Sequence, residues 1–252
     1  MPDATPAGNW QLATVAALRD ETPTVRTITF ALPSWSGHLA GQHVDIRLTA
    51  ENGYQAERSY SIASPAGLNA LVEITVERIA EGEVSPFLTE GLGVGDTIEL
   101  RGPIGGYFTW KPEDSSPLML IAGGSGIVPL MSMIRTRVKA SSRVSGRLLY
   151  SSRNFEEIIY RAELERLAAY NDGFSLVHTL TRGAPATWQG ETRRIDQQML
   201  EKYALTAALT PQVFICGPTA FVEIVADQLL AIGHPESNIK TERFGPTGEK
   251  RQ

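Results

Sequence analysis

The sequence predicts two domains in series: an antiparallel β-barrel, then a doubly wound α/β domain with a parallel sheet. Three observations carry this expectation. Between Gln11 and Trp110, short runs rich in Val, Ile, Thr and aromatic residues are punctuated by Gly, Pro and Asn. Residues 111–117 are polar and lack an apolar period. From Leu118 onward, continuous apolar runs alternate with stretches of helical apolar spacing.

Taken in order, strands are expected at Gln11–Arg19, Val25–Ala31, His43–Leu48, Arg58–Ala63, Leu71–Val76 and Thr97–Arg101, at a spacing that suits a small antiparallel barrel or sandwich. A helical stretch interrupts them at Val84–Glu90, where Ser85 can cap and Pro86 fits the first turn. Lys111–Pro117 carries two prolines and two acids and reads as a linker, which sets the expected domains at residues 1–112 and 113–252. Leu118–Ala122 has the unbroken apolar character of a buried parallel strand and leads through glycines into a helix at Pro129–Lys139. Further strands are expected at Arg147–Tyr150, Phe174–Thr179 and Gln212–Cys216, with helices at Glu156–Tyr170 and Thr219–Ala231.

The chain has 252 residues, with 23 Lys and Arg against 28 Asp and Glu, and no dense basic run, which argues against nucleic acid or an anionic membrane as partner. No apolar run approaches the roughly 20 residues needed to span a bilayer, and Met1–Trp10 lacks a cationic start with an apolar core, so the expected compartment is the cytoplasm. Cys216 is the single cysteine, which excludes an internal disulfide and a cysteine-ligated iron–sulfur cluster within the chain. His38, His43, His178 and His234 are scattered without ligand spacing, and no metal site is expected.

The segment Glu57-Arg58-Ser59-Tyr60-Ser61 joins a forked cation, a flat ring with a polar tip and a small hydroxyl, which together suit a ligand that is part phosphate and part aromatic. Read alone, it is more simply an amphipathic strand end with an exposed arginine. Gly123-Gly124-Ser125-Gly126-Ile127-Val128-Pro129 lies between the first buried strand and a helix, where an open α/β sheet binds ligands. Glycines there allow close backbone approach to a pyrophosphate, and the helix dipole favours an anion by about 0.3–1 kcal/mol. The spelling departs from the usual dinucleotide fingerprint, because Pro129 stands in place of its last glycine, and a plain tight turn stays open. Phe214-Ile215-Cys216-Gly217-Pro218 closes another apolar strand at the same edge, so Cys216 is expected near the first glycine loop or, alternatively, as a small buried hydrophobe. Gly82-Glu83-Val84-Ser85 is a second possible anion site, and Gly102-Pro103-Ile104-Gly105-Gly106 is a glycine-rich turn before two aromatics. Arg153, Arg182, Arg193 and Arg194 are either solvated charges or a group gathered around a phosphate.

In that order and spacing, Arg58 to Ser61, Gly82 to Ser85, Gly102 to Gly105, Gly123 to Pro129 and Cys216-Gly217-Pro218 resemble the ferredoxin–NADP reductase family over nearly the whole chain. The resemblance implies an FAD-binding barrel followed by an NAD(P)H-binding domain. It implies hydride transfer from nicotinamide to flavin and onward release of electrons one at a time. By the same resemblance Arg58 binds a flavin phosphate with Ser59 beside it, Tyr60 lies against the isoalloxazine, and Ser61 hydrogen-bonds near N5. Val76 and Arg78 line the cofactor, and Gly82, Val84 and Ser85 hold the pyrophosphate. Gly123, Gly124, Ser125, Gly126, Pro129, Cys216, Gly217 and Pro218 serve the nicotinamide nucleotide. Ser61 and Cys216 are the expected catalytic residues.

Glu242-Arg243-Phe244-Gly245 is similar to the Glu-x-Phe that closes the nucleotide domain of aromatic-ring dioxygenase reductases, with Phe244 the candidate for shielding the flavin ring. In many of those a ferredoxin domain is fused, whereas here Pro246 to Gln252 follow, so the acceptor is expected to be separate: a ferredoxin or an oxygenase component, served by a monomeric chain. Arg153, Arg182 and Arg194 resemble arginines that meet the adenosine ribose or its 2′-phosphate, so NADPH is expected, with NADH open. A reductase of free flavin, quinone or cytochrome, and an electron-transfer subunit of a larger complex, remain rival readings.

Overall fold

The computed structural model describes residues 9–68 and 70–245, and the chain divides into two compact units. The first comprises residues up to Ser115 with Val128–Val144 and Glu156–Glu163; the second comprises Ser116–Ile127, Ser145–Phe155 and the chain from Leu164 onward.

The first unit is built on six antiparallel strands: β1 (Gln11–Thr22), β2 (Val25–Ala31), β3 (His43–Thr49), β4 (Gln55–Ser61), β5 (Leu71–Glu77) and β6 (Thr97–Ile104). Their order is β4-β3-β6-β1-β2-β5. The sheet closes on itself just past β4, where Ile62 bridges Ile74 and the Ala63 N–H donates to the Glu73 carbonyl at 2.7 Å. Period-two alternation puts Ile28, Phe30, Val44, Ile46, Val72, Ile74 and Leu100 on the inner face, where all are fully buried. The helical stretch expected at Val84–Glu90 forms as one short helical segment over residues 85–91, with π geometry at Phe87–Gly91. Ser85 does not cap it: its hydroxyl accepts the Ile79 N–H at 3.0 Å, tying down the preceding turn.

Helix α1 (Ile127–Lys139) groups largely with this unit, and its Arg135 makes the densest polar junction there. Arg135 Nη1 donates to the Ala63 carbonyl and to Glu73, both at 2.9 Å, while Nη2 donates to Glu163 at 2.7 Å. The guanidinium also lies 5.0 Å from the Tyr160 ring centre, whose hydroxyl donates to Thr75. Burial opposes the charge on Arg135, but hydrogen bonding to Glu163 and the nearby acids outweigh it and raise its pKa. Tyr160 adopts a left-handed φ of 57°, which no helix continues through, so the helix expected over Glu156–Tyr170 reduces to a 3-10 turn at Phe155–Glu157 and α2 (Arg161–Ala169).

The second unit carries a five-stranded parallel sheet: β7 (Leu118–Gly123), β8 (Gly146–Asn154), β9 (Phe174–Gly183), β10 (Gln212–Pro218) and β11 (Ile239–Phe244), in the order β11-β10-β7-β8-β9. The central β7 is buried at every residue, as its unbroken apolar run demands. Helices α3 (Gln197–Tyr203) and α4 (Thr219–Ala231) cover one face, packing Met199, Leu200, Val222, Val225 and Leu229 onto Met119, Ile121, Val213 and Ile215. Asp196 starts α3 by accepting the Met199 N–H at 2.9 Å.

Burial also makes three histidines acid-sensitive. His38, His43 and His234 all have pKa values lowered from 6.5, in each case chiefly by burial. His38 shows why: its Nε2–H donates to the Ser64 carbonyl at 3.1 Å, and its buried Nδ1 has no partner among the described residues. A second proton would have no acceptor there. The unfolded chain takes up these protons as pH falls through 6.5, before the folded chain does, so stability present above that pH is lost below it. The urea midpoint is expected to fall between pH 7.5 and 5.5, at no more than about 1.4 kcal/mol per pH unit for each histidine. A midpoint that is flat or rises over that window would contradict this.

Candidate active site

On the barrel, strand alternation divides the Arg58–Ser61 segment between two faces. Arg58 and Tyr60 pair with Ile46 and Val44, while Ser59 and Ser61 pair with Asp45 and His43. Tyr60 packs against the barrel core, and burial pushes its phenol up to about 12, so it presents a neutral ring. Ser61 is buried, whereas the Ser59 hydroxyl donates to Asp45 Oδ1 at 2.6 Å and that carboxylate also takes Arg101 at 2.9 Å. Arg58 is exposed and reaches the Gly82–Ser85 turn, with Nη2 at 3.1 Å from Glu83. Val84 and Ser85 in that turn are buried, and Val76 is buried in β5. The Arg78 N–H donates to the Thr24 carbonyl at 2.8 Å, and its side chain pairs with Glu90. The structure therefore brings Arg58, Tyr60 and the Gly82–Ser85 turn together, and ties Ser59 and the Arg78 side chain to acids.

In the second unit, the order of the sheet reverses between β7 and β10, and the carboxyl ends of these strands form the edge where such sheets take ligands. Cys216 is in register with Ala122, and Phe244 with Pro218, so Gly123, Gly217, Pro218 and Phe244 end together. Gly124–Gly126 forms a 3-10 turn off β7. Gly124 has a left-handed φ of 55° with open space where a side chain would sit. A Cβ on Gly126 would meet the Cys216 carbonyl oxygen at 2.1 Å and the Gly217 nitrogen at 2.6 Å, so this glycine is required by contact of two backbones. Ser125 is half-buried in this turn, and Pro129 is buried in the first turn of α1.

Cys216 itself is fully buried, and burial, with Glu242 nearby, raises its pKa well above the usual thiol range. It is a neutral wall of the edge rather than a nucleophile. The strongest residue that sequence reasoning missed here is Phe221: a Cβ on Gly123 or on Gly217 would come within 3.0 Å of its ring. Its position in the first turn of the helix after Cys216-Gly217-Pro218 was the available signal.

Of the four arginines, Arg193 is committed elsewhere, pairing with Asp196 at 2.6 Å and Glu191 at 3.5 Å. Arg153 near the end of β8, Arg182 near the end of β9, and Arg194 are exposed, and their side chains make no hydrogen bond or ion pair among the described residues. Trp188 lies between them in sequence, stacked on His178 at 6.2 Å and edge-on to Phe155 at 5.9 Å.

Residues 13–109 match the oxidoreductase FAD-binding domain family, and residues 120–227 match the oxidoreductase NAD-binding domain family. The chain is 33% identical over 239 residues to ferredoxin–NADP reductase B of Sorangium cellulosum, covering 92% of this chain and 96% of that protein. It is 33% identical over 230 residues to the glycine betaine monooxygenase reductase subunit of Pseudomonas aeruginosa, covering 90% of this chain but 62% of that longer subunit. Among solved structures, the FAD/NAD-binding domain of nitric oxide dioxygenase from Vibrio cholerae superposes with a TM-score of 0.82 at 25% identity, covering 94% of this chain and 99% of that one.

Proposed function

Because this chain belongs to the ferredoxin–NADP reductase family, carrying its FAD-binding and NAD-binding domains, we propose that it oxidises NADPH through FAD and passes electrons to a separate protein acceptor. Bound FAD supplies the chemistry, accepting hydride from the nicotinamide and yielding electrons singly. The acceptor proposed is a ferredoxin or an oxygenase component, in the cytoplasm, with the reductase acting as a monomer. No helix among the described residues is long and apolar enough to cross a membrane.

The observation that carries the reading is the sheet edge at which Gly126 lies against the Cys216 backbone and Gly123 against Gly217, at the reversal between β7 and β10. There the turn Gly123–Gly126, with Pro129, Gly217 and Pro218, would hold the nicotinamide half of the nucleotide, and Cys216 would line it. Arg153, Arg182 and Arg194, exposed and unengaged, would meet the adenosine 2′-phosphate. On the barrel, Arg58 with Gly82, Val84 and Ser85 would hold the flavin phosphates, with Ser59, Val76 and Arg78 lining that side. Tyr60 would support the ring, Ser61 would stand beside N5, and Phe244 would shield the flavin. The two domains are proposed to meet within Lys111–Pro117, as residues 1–112 and 113–252.

The test is anaerobic mixing of the purified flavoprotein with NADPH and, separately, NADH. Flavin absorbance should bleach with NADPH. Double replacement Arg182→Ala and Arg194→Ala should raise KM for NADPH about tenfold or more while leaving NADH little changed, since a charge-assisted hydrogen bond is worth roughly 1.5–3 kcal/mol. Failure to bleach with either nucleotide would overturn the reductase reading, and equal effects on both nucleotides would overturn the phosphate assignment.

A further inference from the structure

We propose that Glu83 sets flavin affinity: its carboxylate occupies Arg58 and competes with the flavin phosphate for it. The inference rests on the flavin reading above and names a residue within that site that works against binding. Both oxygens of Glu83 are engaged. One accepts Arg58 Nη2 at 3.1 Å, and the other accepts the Tyr54 hydroxyl at 2.8 Å. The second nitrogen of the fork, Nη1, donates to the Glu57 carbonyl at 2.8 Å. Tyr54, Glu83 and Arg58 thus form a chain from the residue just before β4 to the Gly82–Ser85 turn, the two segments that would grip the phosphates. The hydrogen bond to Glu83 also raises the Tyr54 pKa, which keeps the phenol a donor to the carboxylate.

The contrast within the chain is informative. Arg153, Arg182 and Arg194 face solvent with no acid attached among the described residues. Arg58 carries a fixed anion instead. A phosphate arriving at Arg58 either displaces the Glu83 carboxylate or accepts a second negative charge beside it, and both weaken the complex. Side-chain exposures of 54% for Arg58 and 51% for Glu83 keep the ion pair itself of small consequence to folding. Exchange of partners is therefore available without loosening the barrel.

The experiment uses the full chain stripped of flavin, as wild type and as Glu83→Gln, which keeps the size and the hydrogen-bonding reach but removes the charge. FAD, FMN and riboflavin are titrated into each by fluorescence quenching. Glu83→Gln is expected to bind FAD and FMN about tenfold more tightly and riboflavin unchanged, since riboflavin has no phosphate, with an unaltered urea midpoint. The gain should shrink at 1 M salt, where the Debye length is about 3 Å. Equal affinities for FAD, weaker binding by the variant, or an equal gain for riboflavin would each overturn the role of Glu83. If folded wild-type chain bound none of the three flavins, the flavin reading itself would fall, an outcome distinct from failure of the competition.

Discussion

Arg135→Ala is expected to destabilise the chain by about 3 kcal/mol, the largest single-residue effect on stability predicted here. The side chain serves four groups at once: the Ala63 carbonyl, Glu73, Glu163 and the face of Tyr160. Removing it leaves two carboxylates facing a space with no cation, and takes the Arg135 donor from the carbonyl of buried Ala63. Glu73 and Glu163 retain 26% and 25% side-chain exposure, so water partly compensates and the expected cost stays at the lower end of the range for buried pairs. Arg135→Lys should recover part of the loss, because it restores the charge but not the fork that reaches Glu73 and Glu163 together. The junction also abuts the strand proposed to hold the flavin, since Ala63 lies two residues past Ser61 and its N–H closes the barrel onto Glu73. Flavin retention should therefore fall with stability in the alanine variant, read as flavin released on dilution. A urea midpoint within error of wild type would show that the junction contributes nothing.

Much of this architecture is legible in the sequence where local pattern and tertiary demand agree. Val25–Ala31 and Thr219–Ala231 are bounded correctly to the residue, one by strand alternation against the Pro23-Thr24 turn, the other by helical spacing after Gly217-Pro218. The pattern fails where a side chain does something non-local. Ser85 looks like a helix cap but spends its hydroxyl on Ile79, and Tyr160 stops a helix through a left-handed backbone held by its burial against Arg135 and Thr75. Two elements carry too little signal to be read. Helix α3 is only seven residues long, and the edge strand β11, Ile-Lys-Thr-Glu-Arg-Phe, buries little beyond Ile239. At the site, convergence of the Gly123–Gly126 turn on Cys216 follows from the rule that parallel strands present one ligand edge. The Arg58–Glu83 pair does not follow from any such rule, because it joins residues 25 apart through a strand and a turn. The Arg193–Asp196 pair is readable locally, because Asp196 lies three residues on, at ion-pair spacing.

Gly126→Ala should have the largest effect on turnover. At this position the obstacle is backbone on the far side, with the Cys216 carbonyl carbon at 2.4 Å and its oxygen at 2.1 Å from the added Cβ, so no side chain can rotate out of the way. Either the Gly124–Gly126 turn lifts off β10 or the carboxyl end of β10 bends, and both alter the edge proposed to align the nicotinamide. Overpacking of this kind costs about 1–3 kcal/mol, and a displacement of about 1 Å at a reacting centre slows transfer by about 100-fold. Gly124→Ala separates the two causes available to a glycine. Its Cβ meets nothing within 4 Å, and its cost is the left-handed φ of 55° alone, about 1 kcal/mol. Stopped-flow reduction of the flavin by saturating NADPH should therefore slow about 100-fold in Gly126→Ala and far less in Gly124→Ala, with flavin content unchanged in both. If Gly124→Ala proved the more damaging, the turn would matter for its conformation, and the close approach of the Cys216 backbone would not be what shapes the nucleotide edge.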